Sequence, residues 1–226
     1  MLWSRNLQLD YPFQNTALDY SGNARHGTVF GSGVYATKPN GSRCLYFDGV
    51  GDYVATPSFG LSGTVVVFAT RLRLPSSVSV NQSLIGDNTW ISNVGALALL
   101  RFKNTTTLAW YYGQAGAVPA SVSIADYFAG SYDDSWLHLC VVSDYTADTA
   151  WVYRDAVLFA TVAMPGNALF PNVDNVKYIG SWSPTMNFLT DGYLANVQLW
   201  TLPTMPDTAV MNASVRRMAA GLMPTW

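Results

Sequence analysis

The 226-residue chain carries 12 basic and 14 acidic side chains, so a charged fraction of 12% stands beside a hydrophobic fraction of 50%. That balance excludes disorder driven by charge, and the length is sufficient for one sizeable core. With a net charge of −2 and Arg216-Arg217 as the only adjacent basic pair, neither a nucleic-acid surface nor an anionic-membrane surface is expected.

All 14 acids are Asp, no Glu occurs, and Lys is confined to Lys38, Lys103 and Lys177. Surface helices rely on Glu and Lys, so strands and turns are expected to dominate. Eighteen Gly, 11 Pro and 31 aromatic residues (8 Trp, 13 Tyr, 10 Phe) point the same way. The longest apolar runs, such as 65–69 and 96–100, have strand length, well below the roughly 20 residues of a membrane span, so no membrane span is expected. Residues 1–6 carry no apolar region resembling a signal peptide. Cys44 and Cys140 each lie in an alternating apolar segment, which suits buried reduced thiols at least as well as one disulfide.

In chain order, strands are predicted at residues 7–13, 43–47, 53–56, 64–74, 82–86, 96–102, 107–112, 136–144, 149–154, 157–163, 177–180 and 192–200. Residues 64–74 alternate most clearly, with Val66, Phe68, Thr70, Leu72 and Leu74 on a buried face and Val65, Val67, Ala69, Arg71 and Arg73 on a wetter one. The two-residue link Asp155-Ala156 predicts a tight hairpin, which makes the segment from residue 136 onward a three-stranded meander. Residues 206–220 hold Val210, Met211, Val215 and Met218 at helical spacing, with Asp207 near the start and Gly221 just past the end, so one short amphipathic helix closes the chain. The fold class expected is all-β, a two-sheet antiparallel β-sandwich with one short C-terminal helix, in a single domain over residues 1–221 followed by a tail at 222–226.

The segment Asp19-Tyr20-Ser21-Gly22-Asn23-Ala24-Arg25-His26-Gly27 resembles the D-x-S-G-N-x-x-H-G loop of laminin-G-like domains in the concanavalin A-like lectin/glucanase superfamily. Phe47-Asp48-Gly49-Val50-Gly51-Asp52-Tyr53-Val54, Trp136-Leu137-His138, Tyr153-Arg154-Asp155-Ala156 and the run from Gly192 to Trp200 are similar to four further segments of that family, in the same order. The resemblance covers residues 7–221 and implies a concanavalin A-like jelly roll. It also implies one structural calcium ion, with Asp19 as side-chain ligand, backbone carbonyls from Asn23 and His26, and a ligand on the last strand at Asn196, where the family has an acid. The alternative for the same loop is closure by hydrogen bonds from Asp and Asn side chains.

Glucanases of this superfamily use a pattern resembling E-x-D-x-x-E, and a chain without Glu cannot carry it. Asp133-Asp134 would point to opposite faces of a strand, and Asp48 with Asp52 flanks a Gly-rich turn. His26 and His138 are the only histidines, and no nucleophile elbow, zinc, nucleotide or redox motif is present, so no catalytic residue is assigned and no enzyme is expected. Trp90 and Trp182 occupy polar turn-rich segments and, with Asn187, form the candidate ligand-binding set for a carbohydrate or a partner; the alternative is that each tryptophan packs over an open end of the sandwich or against a partner subunit. The expected function is a non-catalytic structural or binding module on a virion surface, a capsid decoration or fibre protein of a phage or related virus assembled in the host cytoplasm. Homo-oligomer contacts or other virion proteins would be its partners. The alternative is an extracellular, soluble lectin-like module that binds cell-surface or polymeric carbohydrate. The apolar tail 222–226, ending in Trp226, is expected to serve as a docking element.

Overall fold

Alternation at residues 64–74 predicts two unlike faces, and strand β6 (Val65–Arg73) has both in the computed structural model. The structure describes residues 6–75, 81–87, 97–101, 106–114, 120–129, 135–164, 168–185 and 189–226. In it β6 stands at the centre of one antiparallel sheet, between β11 (Leu137–Asp144) and β16 (Asp191–Leu202). Beyond β11 lie β12 (Thr149–Arg154) and β13 (Val157–Ala163), and beyond β16 lie β4 (Arg43–Asp48) and β3 (Val34–Thr37), with β1 (Leu7–Tyr11) also paired to β16.

The second sheet runs β10 (Ala120–Ile124), β9 (Leu108–Gln114), β8 (Leu97–Arg101), β7 (Gln82–Gly86), β15 (Tyr178–Ile179), β5 (Tyr53–Ala55) and β2 (Thr28–Phe30), with β14 (Ala168–Leu169) against β9. Every pairing among the described strands is antiparallel, as the sequence predicts. The main core fills the space between the sheets, where Val66, Phe68 and Leu72 of β6 meet Leu84, Leu99 and Trp110 from the other side.

The meander β11–β12–β13 is present. Asp155 and Ala156 both take positive φ, 49° and 67°, the conformation a two-residue hairpin needs to match strand twist. Four strands escape the sequence reading. They are β2, β3, β10 and β14; β2, β3 and β14 have only two to four residues, and β2, β3 and β10 lie at sheet edges where side chains are largely exposed, so burial imposes little pattern. Cys44 and Cys140 are buried free thiols on β4 and β11. Strands β6 and β16 lie between them, a separation of about 14 Å at normal strand spacing, which no disulfide spans.

The outer face of the first sheet is covered over half its length. Helix α1 (Thr208–Ala219) starts at Asp207, whose carboxylate accepts from the Val210 N–H at 2.9 Å. It lays Met211, Val215 and Met218 on Val65, Val67, Cys140 and Trp200. Each of these side chains contributes about 1.5–3 kcal/mol by leaving water. Its end is closed by a Gly221 turn with φ +76°, by Arg216 and Arg217 in the last turn, and by the Arg71 guanidinium, which donates to the Ala219 carbonyl.

The tail is partly packed within the chain. It folds back on its own sheet, with the Thr225 N–H donating to Ser214 Oγ at 2.9 Å and Arg217 Nε to the Met223 carbonyl at 2.6 Å. The Trp226 ring meets Trp200 edge-on at 6.1 Å. An apolar tail finds the nearest apolar surface, and here Trp226 packs on the sheet beside α1, while Leu222 and Met223 stay exposed at 53% and 39%. Truncation after Gly221 is expected to cost about 2 kcal/mol, or about 4–8 °C in Tm, because half-buried Trp226 leaves a gap against Trp200. Thermal denaturation followed by circular dichroism checks this, and an unchanged Tm would place the tail's contacts outside the cooperative fold.

Candidate functional site

Past Ala69 the outer face of β6 changes from apolar to cationic, and α1 ends there. Arg71 and Arg73 follow Val65, Val67 and Ala69 on the same side of the strand. Register then sets Arg73 opposite Tyr193 of β16, and Tyr193 opposite Tyr46 of β4. The Tyr193 ring lies 4.9 Å from Tyr46 and 6.2 Å from Trp136, and the Arg73 guanidinium lies 5.6 Å above it. All three rings are partly exposed, so they form a row across the open half of the sheet. Burial, with Asp191 next, holds the Tyr46 phenol above its ordinary pKa, and burial likewise raises the Asp191 carboxyl.

One strand-row away is a cavity of about 200 Å³ lined by Lys38, Pro39, Asn40, Arg71 and Trp136. The Lys38 ammonium lies 5.6 Å from the Trp136 ring centroid. A second cavity, of about 170 Å³, lies where α1 ends and is lined by Asp10, His138, Asn196, Gln198, Met218 and Leu222, among others. His138 is 4% exposed, and its Nδ1 has no hydrogen-bond partner among the described residues. Burial first and the Arg71 charge second depress its pKa to about 4. Asp10 accepts from Gln198 Nε2 at 3.3 Å, and burial raises its carboxyl above the usual range.

The Asp19 loop is a closed hydrogen-bond unit. One carboxylate oxygen of Asp19 accepts from the backbone N–H of Asp10 and of Ser21, both at 2.9 Å, and the other from Ser21 Oγ at 2.7 Å and the Arg25 N–H at 3.0 Å. The Asp19 N–H donates to His26 Nδ1 at 3.1 Å, and Asn23 Nδ2 donates to the Leu7 carbonyl at 2.7 Å. Four donors are what a carboxylate can accept, so a cation could bind only by displacing them. Arg25 is near enough to act on Asp19 electrostatically, which opposes a cation further. Asn196, the fourth implied ligand, sits at a bulge in β16 with φ 51° and faces the cavity of Asp10 and His138. As arranged, these residues do not fit a calcium ion at Asp19.

Of the predicted ligand-binding set, Trp90 and Asn187 lie outside the described residues. Trp182 requires correction as a stacking platform. It is 2% exposed, meets Tyr111 edge-on at 5.1 Å and packs against Ala98, because its backbone crosses directly over Gly86, where a Cβ would approach Trp182 Cα to 2.5 Å. Asp48 and Asp52 are turn acids. Asp48 accepts from the Val50 and Gly51 N–H groups, and Asp52 from the Ser32 and Asp48 N–H groups. The sequence reading missed the row of Trp136, Tyr193 and Tyr46 together with Lys38. Its one legible trace is the wetter face of β6 at Arg71 and Arg73.

No protein-family model matches the chain, and no characterised protein sequence is significantly similar to it. Solved structures share its fold. The ligand-binding domain of botulinum neurotoxin serotype D, solved with N-acetylneuraminic acid, superposes with TM-score 0.71 at 11% identity over 96% of this chain and 51% of that one. A receptor-binding domain of the mosaic serotype C/D, solved with tetraethylene glycol and sulfate, gives TM-score 0.71 at 12% identity over 97% and 51%. This chain thus spans about half the length of these toxin domains. Domain 4 of a GH43 extracellular arabinanase from Geobacillus stearothermophilus, solved with arabinotriose, gives TM-score 0.69 at 15% identity over 95% and 98%.

Two outcomes test this description. Asp19→Ala is expected to cost about 3 kcal/mol, since it orphans several backbone donors at once, while millimolar calcium or a chelator leaves the wild-type Tm unchanged; a calcium-dependent Tm would overturn the hydrogen-bonded reading of the loop. For His138, the unfolded chain takes up a proton near pH 6.5 and the native state only near pH 4. Stability is therefore lost as pH falls from about 6.5 to about 4, by up to about 3 kcal/mol. Asp10, with its raised pKa, contributes with the opposite sign, so the check is the difference between wild type and His138→Gln in denaturant titrations across that window. Parallel curves would show that His138 is not the group titrating.

Proposed function

We propose that the chain is a non-catalytic, laminin-G-like module that binds saccharide on the open half of its first sheet. The observation that carries this reading is the row of Trp136, Tyr193 and Tyr46, partly exposed and joined to the cations Arg73 and Lys38. Flat aromatic faces cover the apolar side of a sugar ring, while adjoining Arg, Lys and Asp groups serve its hydroxyls. A saccharide accompanies two of the fold neighbours, N-acetylneuraminic acid in the toxin domain and arabinotriose in the arabinanase domain, and this supports the reading. The absence of Glu, with the Asp48 and Asp52 carboxylates spent on backbone donors, favours binding over hydrolysis.

As the biological setting we propose a virion surface, as a capsid decoration or fibre component. Exposed apolar residues at the sheet edges favour assembly with further copies or other subunits. Val34 of β3 is 51% exposed, and Val157 and Leu158 of β13 are 68% and 46% exposed. Light scattering of the purified chain addresses this, a discrete oligomer supporting it and a monomer at high concentration opposing it.

For saccharide binding, a glycan array followed by calorimetry on the best binder is the direct experiment. Tyr193→Ala and Trp136→Ala are each expected to weaken binding by at least about tenfold. A Trp182→Ala variant that retains its fold is expected to bind like wild type. Undiminished affinity in both outer-face variants would remove the site from this face.

A further inference from the structure

We propose that the cavity between Lys38, Arg71 and Trp136 is an anion subsite that takes the carboxylate or sulfate of an acidic sugar unit stacked on Trp136. This inference rests on the saccharide-binding reading and specifies the ligand class.

The chain satisfies buried ammonium groups elsewhere. Lys177 is 0% exposed, and its Nζ donates to the carbonyls of Phe59 at 3.1 Å and Asn175 at 3.2 Å. Lys38 is 8% exposed, and among the described residues its ammonium has neither a hydrogen bond nor a carboxylate partner; it lies 5.6 Å from the Trp136 ring centroid and within electrostatic reach of Arg71 and the Cys44 thiol. Two cations facing one space, with no carboxylate among the described residues to offset them, repel each other. Burial first, and the Arg71 charge second, push the Lys38 ammonium below the ordinary lysine range.

Both cations line the same cavity, and Arg71 is held in place because one guanidinium nitrogen is committed to the Ala219 carbonyl. Guanidinium and ammonium groups converging on one space match an oxyanion, and a ligand anion would offset the repulsion between the two cations. At about 200 Å³ the space falls below the roughly 300–1,000 Å³ of pockets that enclose drug-sized ligands, so it fits one ring or end group. The row of Tyr193 and Tyr46 adjoins Trp136, so further sugar units have aromatic surface on which to continue.

The experiment is calorimetry of the whole chain with length-matched neutral, carboxylate-bearing (oligogalacturonate) and sulfate-bearing (carrageenan) oligosaccharides, and with acetate and inorganic sulfate alone. The variants are Lys38→Met, which keeps the stem packed on Trp136, and Lys38→Arg, which keeps the charge, with Tm confirming that each folds. The expected result is at least about tenfold preference for one acidic probe over the neutral one, lost in Lys38→Met and kept in Lys38→Arg, as for one charge-assisted contact. The preferred probe distinguishes carboxylate from sulfate. Equal affinity for acidic and neutral probes, or a preference that survives Lys38→Met, overturns the anion subsite and leaves saccharide binding standing. Acetate or sulfate binding that depends on Lys38, without any oligosaccharide binding, overturns the saccharide reading and with it the acidic-sugar assignment, leaving a site for a free small anion. Binding of no probe overturns both.

Discussion

Strand β6 has to be apolar on both faces for half its length and on one face for the rest, and much of the molecule follows from that division. Its inner residues Val66, Phe68 and Leu72 belong to the core between the sheets throughout. Its outer residues Val65, Val67 and Ala69 need a second cover, which α1 and Trp226 provide. At Arg71 the need ends, and so does the helix. The same guanidinium closes the helix at the Ala219 carbonyl and opens the adjoining cavity, so the boundary between packed and open surface is drawn by one side chain. A longer apolar run on β6 would extend the covered region across Tyr193 and Trp136.

The chain's charges divide unevenly between structure and surface. Its acids are all Asp, and several accept from backbone donors: Asp19 in the first loop, Asp52 between the β2–β3 turn and the β4–β5 hairpin, Asp144 and Asp155 in the meander, and Asp207 at the helix start. Short Asp side chains bond to nearby N–H groups in a way longer Glu side chains do not, which gives the missing Glu a structural reason. Cations meanwhile rest on aromatic faces, with Arg25 4.0 Å from the Phe59 centroid, Arg154 4.4 Å from Phe159 and Arg73 5.6 Å from Tyr193. On the open half of the first sheet, Arg71, Arg73 and Lys38 stand at one side of the aromatic row, and Asp48 and Asp191 at the end next to Tyr46.

Most of the fold was legible in the sequence because burial writes a period into a strand. β6, β7, β11, β12 and β13 lie within a residue or two of their predicted bounds, and the helix begins at the Asp207 cap that its pattern indicates. The edge strands β2 and β3 were illegible because Thr28, Phe30, Val34 and Thr37 face solvent and no core fixes their alternation. The site was less legible still. Trp182 reads as a loop residue by its polar neighbours, yet the close crossing at Gly86 buries it. Trp136 reads as an ordinary sheet residue, and only the cross-strand register of β11, β6, β16 and β4 places it in a row with Tyr193 and Tyr46. Register is a pairwise property of strands far apart in the chain, and no local pattern carries it.

Placement on central strands also bears on how such a face can recognise a ligand. Loops usually carry binding residues, but Arg71, Arg73, Tyr46 and Tyr193 sit on strands held on both sides by ladder hydrogen bonds. Side chains fixed this way lose little freedom when a ligand arrives, so a modest contact area can yield useful affinity. The bulge at Asn196 shifts the register between Ala195 and Gln198, and the Thr70 hydroxyl donates to the Ala195 carbonyl at 3.1 Å, which anchors β16 to β6 beside that irregularity. Tyr193 lies on one side of the bulge and Trp200, under the helix, on the other. The irregularity thus lies between a stretch of β16 that packs and a stretch that faces solvent, and it separates the demands of stability from those of recognition within one strand.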